Sequence, residues 1–97
     1  MTKKLSITAR AAQEVRRAAA AGGAEGLALR VAAKREEDGG VLLGIGFDEE
    51  RVRDDVIETA GVTLLVSEHS RGLLEDMVLD FVAPDFVVVP AAPEDGA

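Results

Sequence analysis

The chain has 97 residues, room for one domain and a modest core, with a formal charge of −7 from 18 acids against 11 bases. That balance disfavours a nucleic-acid or anionic-membrane partner, because phosphate surfaces are met by clustered Lys and Arg. With no cysteine and a single histidine, His69, the chain has no disulfide framework, thiol nucleophile, redox pair, or zinc or iron–sulfur site built from its own thiolates.

No run approaches the roughly 20 apolar residues of a membrane span and no signal-peptide pattern opens the chain, so a cytoplasmic protein is expected. Hydrophobic residues make up 47%, yet only Phe47, Phe81 and Phe86 are aromatic, so the core must be built from Val, Leu, Ile and Ala.

After a short apolar start at Leu5 and Ile7, Thr8 is placed to cap a helix, its hydroxyl accepting an orphan N–H. Residues 9–21 then put Ala12, Val15 and Ala19 on one stripe and Arg10, Gln13, Glu14, Arg16 and Arg17 on the wetter side, until Gly22 and Gly23 end the pattern. So shallow a stripe predicts a helix laid on a sheet. Residues 27–34 alternate with period two: Leu27, Leu29, Val31 and Ala33 face one way, Arg30 and Lys34 the other. The loop "REEDGG" follows, and then a second strand over 41–47. Val41, Leu43, Ile45 and Phe47 share one face of it, while Gly44 and Gly46 open the opposite face to the approach of another backbone. The two strands predict a hairpin.

A polar connection over 48–55 leads to a short strand, a turn at Ala60–Gly61 and an apolar strand over 62–66. "SEHSRGLLEDM" predicts a short helix capped by Ser67, with Glu68 suited to its N-terminal dipole and Leu73 and Leu74 packing inward against the cost of Gly72. "VLDFV" and "FVVV" give two further strands, broken at Ala83–Pro84–Asp85. About six strands and two helices result.

Three stretches at this spacing resemble the A-type iron–sulfur carriers, the HesB/IscA family: "SITARAAQEVRR", "LRVAAKREEDGGVLLGIGFDEE" and "GVTLLVSEHSRGLLEDMVLDFV". The resemblance covers residues 5 to about 82. It implies a β-rich α+β fold, a single compact HesB-like domain over 1–90 with two mixed β-sheets and two α-helices; the turn-rich, acidic composition after it predicts a flexible tail over 91–97. The family holds iron or a cluster through one cysteine in the hairpin loop and two in a C-terminal Cys-Gly-Cys motif. Here the loop position falls on Asp38, and the segment after "FVVVPAA" offers Pro93, Glu94, Asp95 and Gly96. A hard carboxylate in place of a soft thiolate is not a conservative exchange for a cluster. Cysteine-free IscA-like proteins occur, some encoded among sulfur-oxidation genes.

Two readings of the acidic loop follow. Asp38 with Glu36 and Glu37, joined by Glu94 and Asp95, would form a carboxylate site for Fe²⁺ or another divalent cation; alternatively Asp-Gly-Gly is ordinary turn chemistry on a solvated face. His69 reads as a surface residue, since one imidazole makes a poor metal site. "GGVLLGIG" lacks the spacing of a phosphate loop. Ser67, His69, Ser70 and Asp76 are close in sequence without forming a nucleophile–base–orienter geometry. The apolar C-terminal strands are either plain core or an edge that pairs with another chain.

The expectation is therefore a non-enzymatic IscA-like protein without a cofactor, which has lost its cluster ligands and binds or regulates a protein partner in sulfur or iron–sulfur metabolism. A homo-oligomer is a further expectation. The alternative is a metal carrier using Asp38, Glu94 and Asp95.

Overall fold

The computed structural model describes residues 3–91. In chain order these form β1 (Ser6–Ile7), α1 (Ala9–Gly22), β2 (Ala28–Arg35), β3 (Val41–Asp48), β4 (Asp55–Thr59), β5 (Val62–Val66), α2 (Glu68–Leu74), β6 (Met77–Val82) and β7 (Asp85–Pro90). The strands make two sheets, ordered β1-β6-β7 and β3-β2-β5-β4. Both are mixed: β1 runs parallel to β6 and β2 parallel to β5, while the hairpin pairs β2–β3, β4–β5 and β6–β7 are antiparallel. This is the HesB-like α+β architecture expected, with the two-residue β1 as the seventh strand among the described residues.

Local chemistry sets the boundaries. Thr8 adopts extended backbone and its Oγ1 accepts the Ala11 N–H, while Gly23, at φ 71, closes the other end of α1 in a left-handed conformation. Ala60 and Gly61, at φ 51 and 80, make the two-residue turn that joins β4 to β5. The core lies between the sheets and α1: Ile7, Ala11, Ala12, Val15, Leu29, Val31, Leu64, Leu74 and Leu79 are all buried in one contiguous cluster. The small alanines let α1 lie close, with Ala11 and Ala12 fully covered.

Three local expectations change. Leu27 precedes β2 and is 42% exposed, so the inward face of that strand begins at Leu29. Among the described residues no backbone approaches Gly44 or Gly46: a Cβ on Gly46 would meet nothing within 4 Å, and one on Gly44 only the Ala32 methyl at 3.9 Å. Ser67 holds the cap position of α2 without a side-chain cap bond.

The working hydroxyl is that of Ser70. Strand β5 pairs with β2 only at Leu29 and Arg30, which leaves the rest of that edge uncovered. Helix α2 fills the gap, and the buried Ser70 Oγ accepts the Ala33 N–H at 3.0 Å and donates to the Ala33 carbonyl at 3.4 Å. A side chain thereby satisfies backbone groups that a further strand would otherwise take.

Candidate functional site

The β2–β3 hairpin places the acidic loop. Its turn closes on itself: the Glu36 N–H donates to the Gly40 carbonyl at 2.8 Å and the Gly39 N–H to the Glu36 carbonyl at 3.0 Å. Gly39 sits at φ 92, a conformation that favours glycine. The Asp38 Oδ1 accepts the Gly40 N–H at 2.8 Å, an Asx-type bond that turns the carboxylate back onto its own loop. Glu36, Glu37 and Asp38 are all exposed. Glu94 and Asp95, the other proposed ligands, lie outside the described residues, as does the expected tail beyond Ala91. Ala91 itself donates its N–H to the Asp76 carbonyl at 2.8 Å. Among the described residues no three His, Cys, Asp or Glu side chains are grouped to hold a metal ion.

Beside the loop, the start of β3 meets β7 across an apolar cleft lined by Val41, Leu43, Leu73, Met77, Phe86 and Val88, with Val87 at its rim. Phe86 meets the Phe81 ring at a centroid distance of 5.0 Å, the two tilted by 54°, and both pack on the core. Strand β7 is a sheet edge, as the apolar C-terminal run suggested, but its Phe86, like Phe81 on β6, is partly buried against the core. The opposite face of the same strands carries Val78, Val82, Val87 and Val89 around Asp80, with Val82 54% and Val89 41% exposed. Strand parity foretells that division. The cleft itself has no sequence signal, because its lining comes from four separate elements.

The remaining candidates resolve simply. His69 is exposed on α2. Ser70 is buried and spent on Ala33, and Asp76 accepts the Lys3 N–H at 2.7 Å, so these residues share no constellation. The strand reading of "GGVLLGIG" holds through β3.

The strong electrostatics lie elsewhere. Arg30 donates to Asp48 at 2.7 Å, to both oxygens of Asp54 at 2.9 and 2.7 Å, and to the Glu49 carbonyl at 3.3 Å. Its bonds to Asp54 and then Asp48 raise the guanidinium pKa further, and they hold the Asp54 carboxyl at about 2. Asp80 accepts both prongs of Arg10, the Thr8 hydroxyl at 2.7 Å and the Phe81 N–H. Arg10 first, and Thr8 next, keep its carboxyl well below the usual range. These are clamps: the first ties the 49–54 connection onto β2, the second ties the start of α1 to β6. The sequence marks Arg30 only as an outward-facing residue and Asp80 only as a polar position in a strand.

The donor set does not fit a thiolate-held cluster: the loop presents carboxylate oxygen, already engaged by its own backbone, and the chain has no sulfur ligand besides methionine. No helix of the described residues is long and apolar enough to cross a membrane. A comparison with curated proteins gives no match. The family model for iron–sulphur cluster biosynthesis matches residues 3–89, nearly the whole chain. With two mixed sheets, two helices and that match, the chain belongs to the iron–sulphur cluster biosynthesis family, the HesB/IscA family.

Proposed function

We propose that this member of an iron–sulfur cluster biogenesis family is a non-enzymatic, partner-binding or regulatory protein that keeps the carrier scaffold without the carrier's cluster ligands. The observation that carries the reading is the Asp38 loop. At the position where the resemblance expects a cysteine, the chain has a carboxylate whose Oδ1 is bonded to Gly40 within a self-contained turn. The scaffold around that loop is intact, with Ser70, Arg30 and Asp80 each holding two elements together. A protein under such constraints and without donors suits recognition better than cargo transfer. The solvent-facing valines of β6 and β7 offer it a surface, with Val82 and Val89 the most open.

The test is anaerobic addition of Fe²⁺ and then sulfide to the purified protein, followed by visible absorbance. The reading expects no cluster absorbance and no stoichiometric iron retained after desalting. Iron retained in the wild type and lost in Asp38→Ala would return the protein to a carboxylate carrier built on Asp38, Glu94 and Asp95. A second pair of variants, Val82→Glu and Val89→Glu, changes only solvent-facing positions and should leave the fold unchanged.

A further inference from the structure

The open edge of β3 is unlike the other strand edges. Among the described residues its ladder partner is β2 alone, and its other side is unpaired over eight residues. Natural edges are shortened, charged or closed by proline, because an unpaired row of N–H and C=O groups templates another strand. Strand β1 has two residues, β4 carries Asp55 and Glu58, and β7 opens on Asp85 and closes on Pro90. From Val41 to Phe47, β3 carries no charge and no proline. Leu42 is 56% and Val41 42% exposed, and Gly44 and Gly46 leave the outer face flat.

Charge frames this neutral edge at both ends. Glu36, Glu37 and Asp38 are exposed before it; Glu49 and Glu50 are exposed after it, while Asp48 is held by Arg30 and Arg51. The nearby cations are set back or engaged. Lys34 and Arg35 lie on β2, one strand behind the edge, and share a surface hollow with Glu36, Glu37 and Asp38 in which the acids outnumber them; Arg53 lies 3.7 Å from Glu68.

We propose that β3 is a docking strand for an extended peptide with an apolar, alternating centre and Lys or Arg at both ends. The peptide would add as a fifth strand to the larger sheet. Its main chain bonds the free edge, its inward side chains extend the surface of Val41, Leu43, Ile45 and Phe47, and its basic ends meet the two acidic clusters about 30 Å apart. A second copy of the chain is the wrong occupant. An antiparallel pairing of two β3 strands centred on Gly44 would bring Asp38 of each copy beside Glu50 of the other, and like charges opposed across strands destabilise. This edge is distinct from the valine face of β6 and β7, so the two surfaces succeed or fail independently.

The probe is a synthetic peptide with alternating Val and Thr at its centre and two lysines at each end, titrated against the isotope-labelled full chain by amide NMR. The expected result is saturable shifts over 41–48, no binding by a peptide N-methylated along its bonding edge, and at least tenfold weaker binding by Leu42→Lys. Replacing Glu49 and Glu50 by Gln together should weaken it about fivefold, the scale of two rim charges. Core resonances unchanged in each variant establish that the fold survives. Shifts on Val78, Val82, Val87 and Val89 instead, equal binding by a peptide with glutamate ends, no shifts at millimolar peptide, or a concentration-dependent dimer protecting 41–48 would each overturn the proposal.

Discussion

The molecule has two acid-rich loops, and they do opposite things. The β2–β3 loop holds Glu36, Glu37 and Asp38 in the open, and its one side-chain bond, Asp38 to Gly40, stays within its own turn. The end of β3 and the connection to β4 hold Asp48 and Asp54 against Arg30, with the Asp54 side chain 3% exposed. Carboxylate content does not separate them. What differs is whether a cation is bonded: β2 places Arg30 under the second loop, where it binds Asp48 and Asp54, while Lys34 and Arg35, beside the first loop, form no ion pair with its acids among the described residues. Leu65 shows what that clamp shelters. It registers opposite Arg30 and Val56, outside the contiguous core, yet is 1% exposed.

The largest test of the contrast is Arg30→Ala. It leaves Asp54 buried without its cation and uncovers Leu65, and should cost about 2–4 kcal/mol in denaturant unfolding. Amide exchange should accelerate over 49–54 and stay unchanged over 36–40. Ser70→Ala comes next: it removes the side chain that serves the Ala33 N–H and carbonyl, and should cost about 1–2 kcal/mol.

Acid gives a smaller, graded effect. The folded Asp54 carboxyl at about 2 lies below its ordinary value, so the unfolded chain takes up the proton first. Its stabilisation is complete above about pH 5 and is lost as the pH falls through 4 towards 2. Asp54→Asn should flatten that part of a stability–pH curve; Asp80, depressed in the same direction by Arg10 and Thr8, keeps its own share. The smallest effect belongs to Asp38→Ala. The side chain is exposed and its bond local, so stability should change by no more than about 0.5 kcal/mol.

Much of the frame was legible. Thr8, the alternation of Leu29, Val31 and Ala33, and the Ala60–Gly61 turn each use a local rule, and local rules need no knowledge of the rest of the chain. The misses are all tertiary. Ser67 is the better sequence candidate for a cap, but Ser70 bonds because β5 ends early and leaves Ala33 without a partner 37 residues away. Gly44 and Gly46 suggested a close approach, yet they lie on the face that stays open to water. Arg30 reads as a solvated alternation residue until the 49–54 connection folds back over it. At the site, Asp38 could be placed in the loop from the resemblance, but its use of Gly40 is a matter of turn geometry that spacing does not encode.

The central claim is that the Asp38 loop is a self-satisfied turn rather than a metal centre. Paramagnetic broadening of backbone amide signals by added Mn²⁺ tests it most directly. The account predicts weak, unsaturated, salt-sensitive broadening shared among exposed acids across the surface, Glu25, Glu58, Glu68 and Asp85 as well as Glu36, Glu37, Asp38, Glu49 and Glu50. Saturable broadening focused on residues 36–40, abolished in Asp38→Ala, would contradict it.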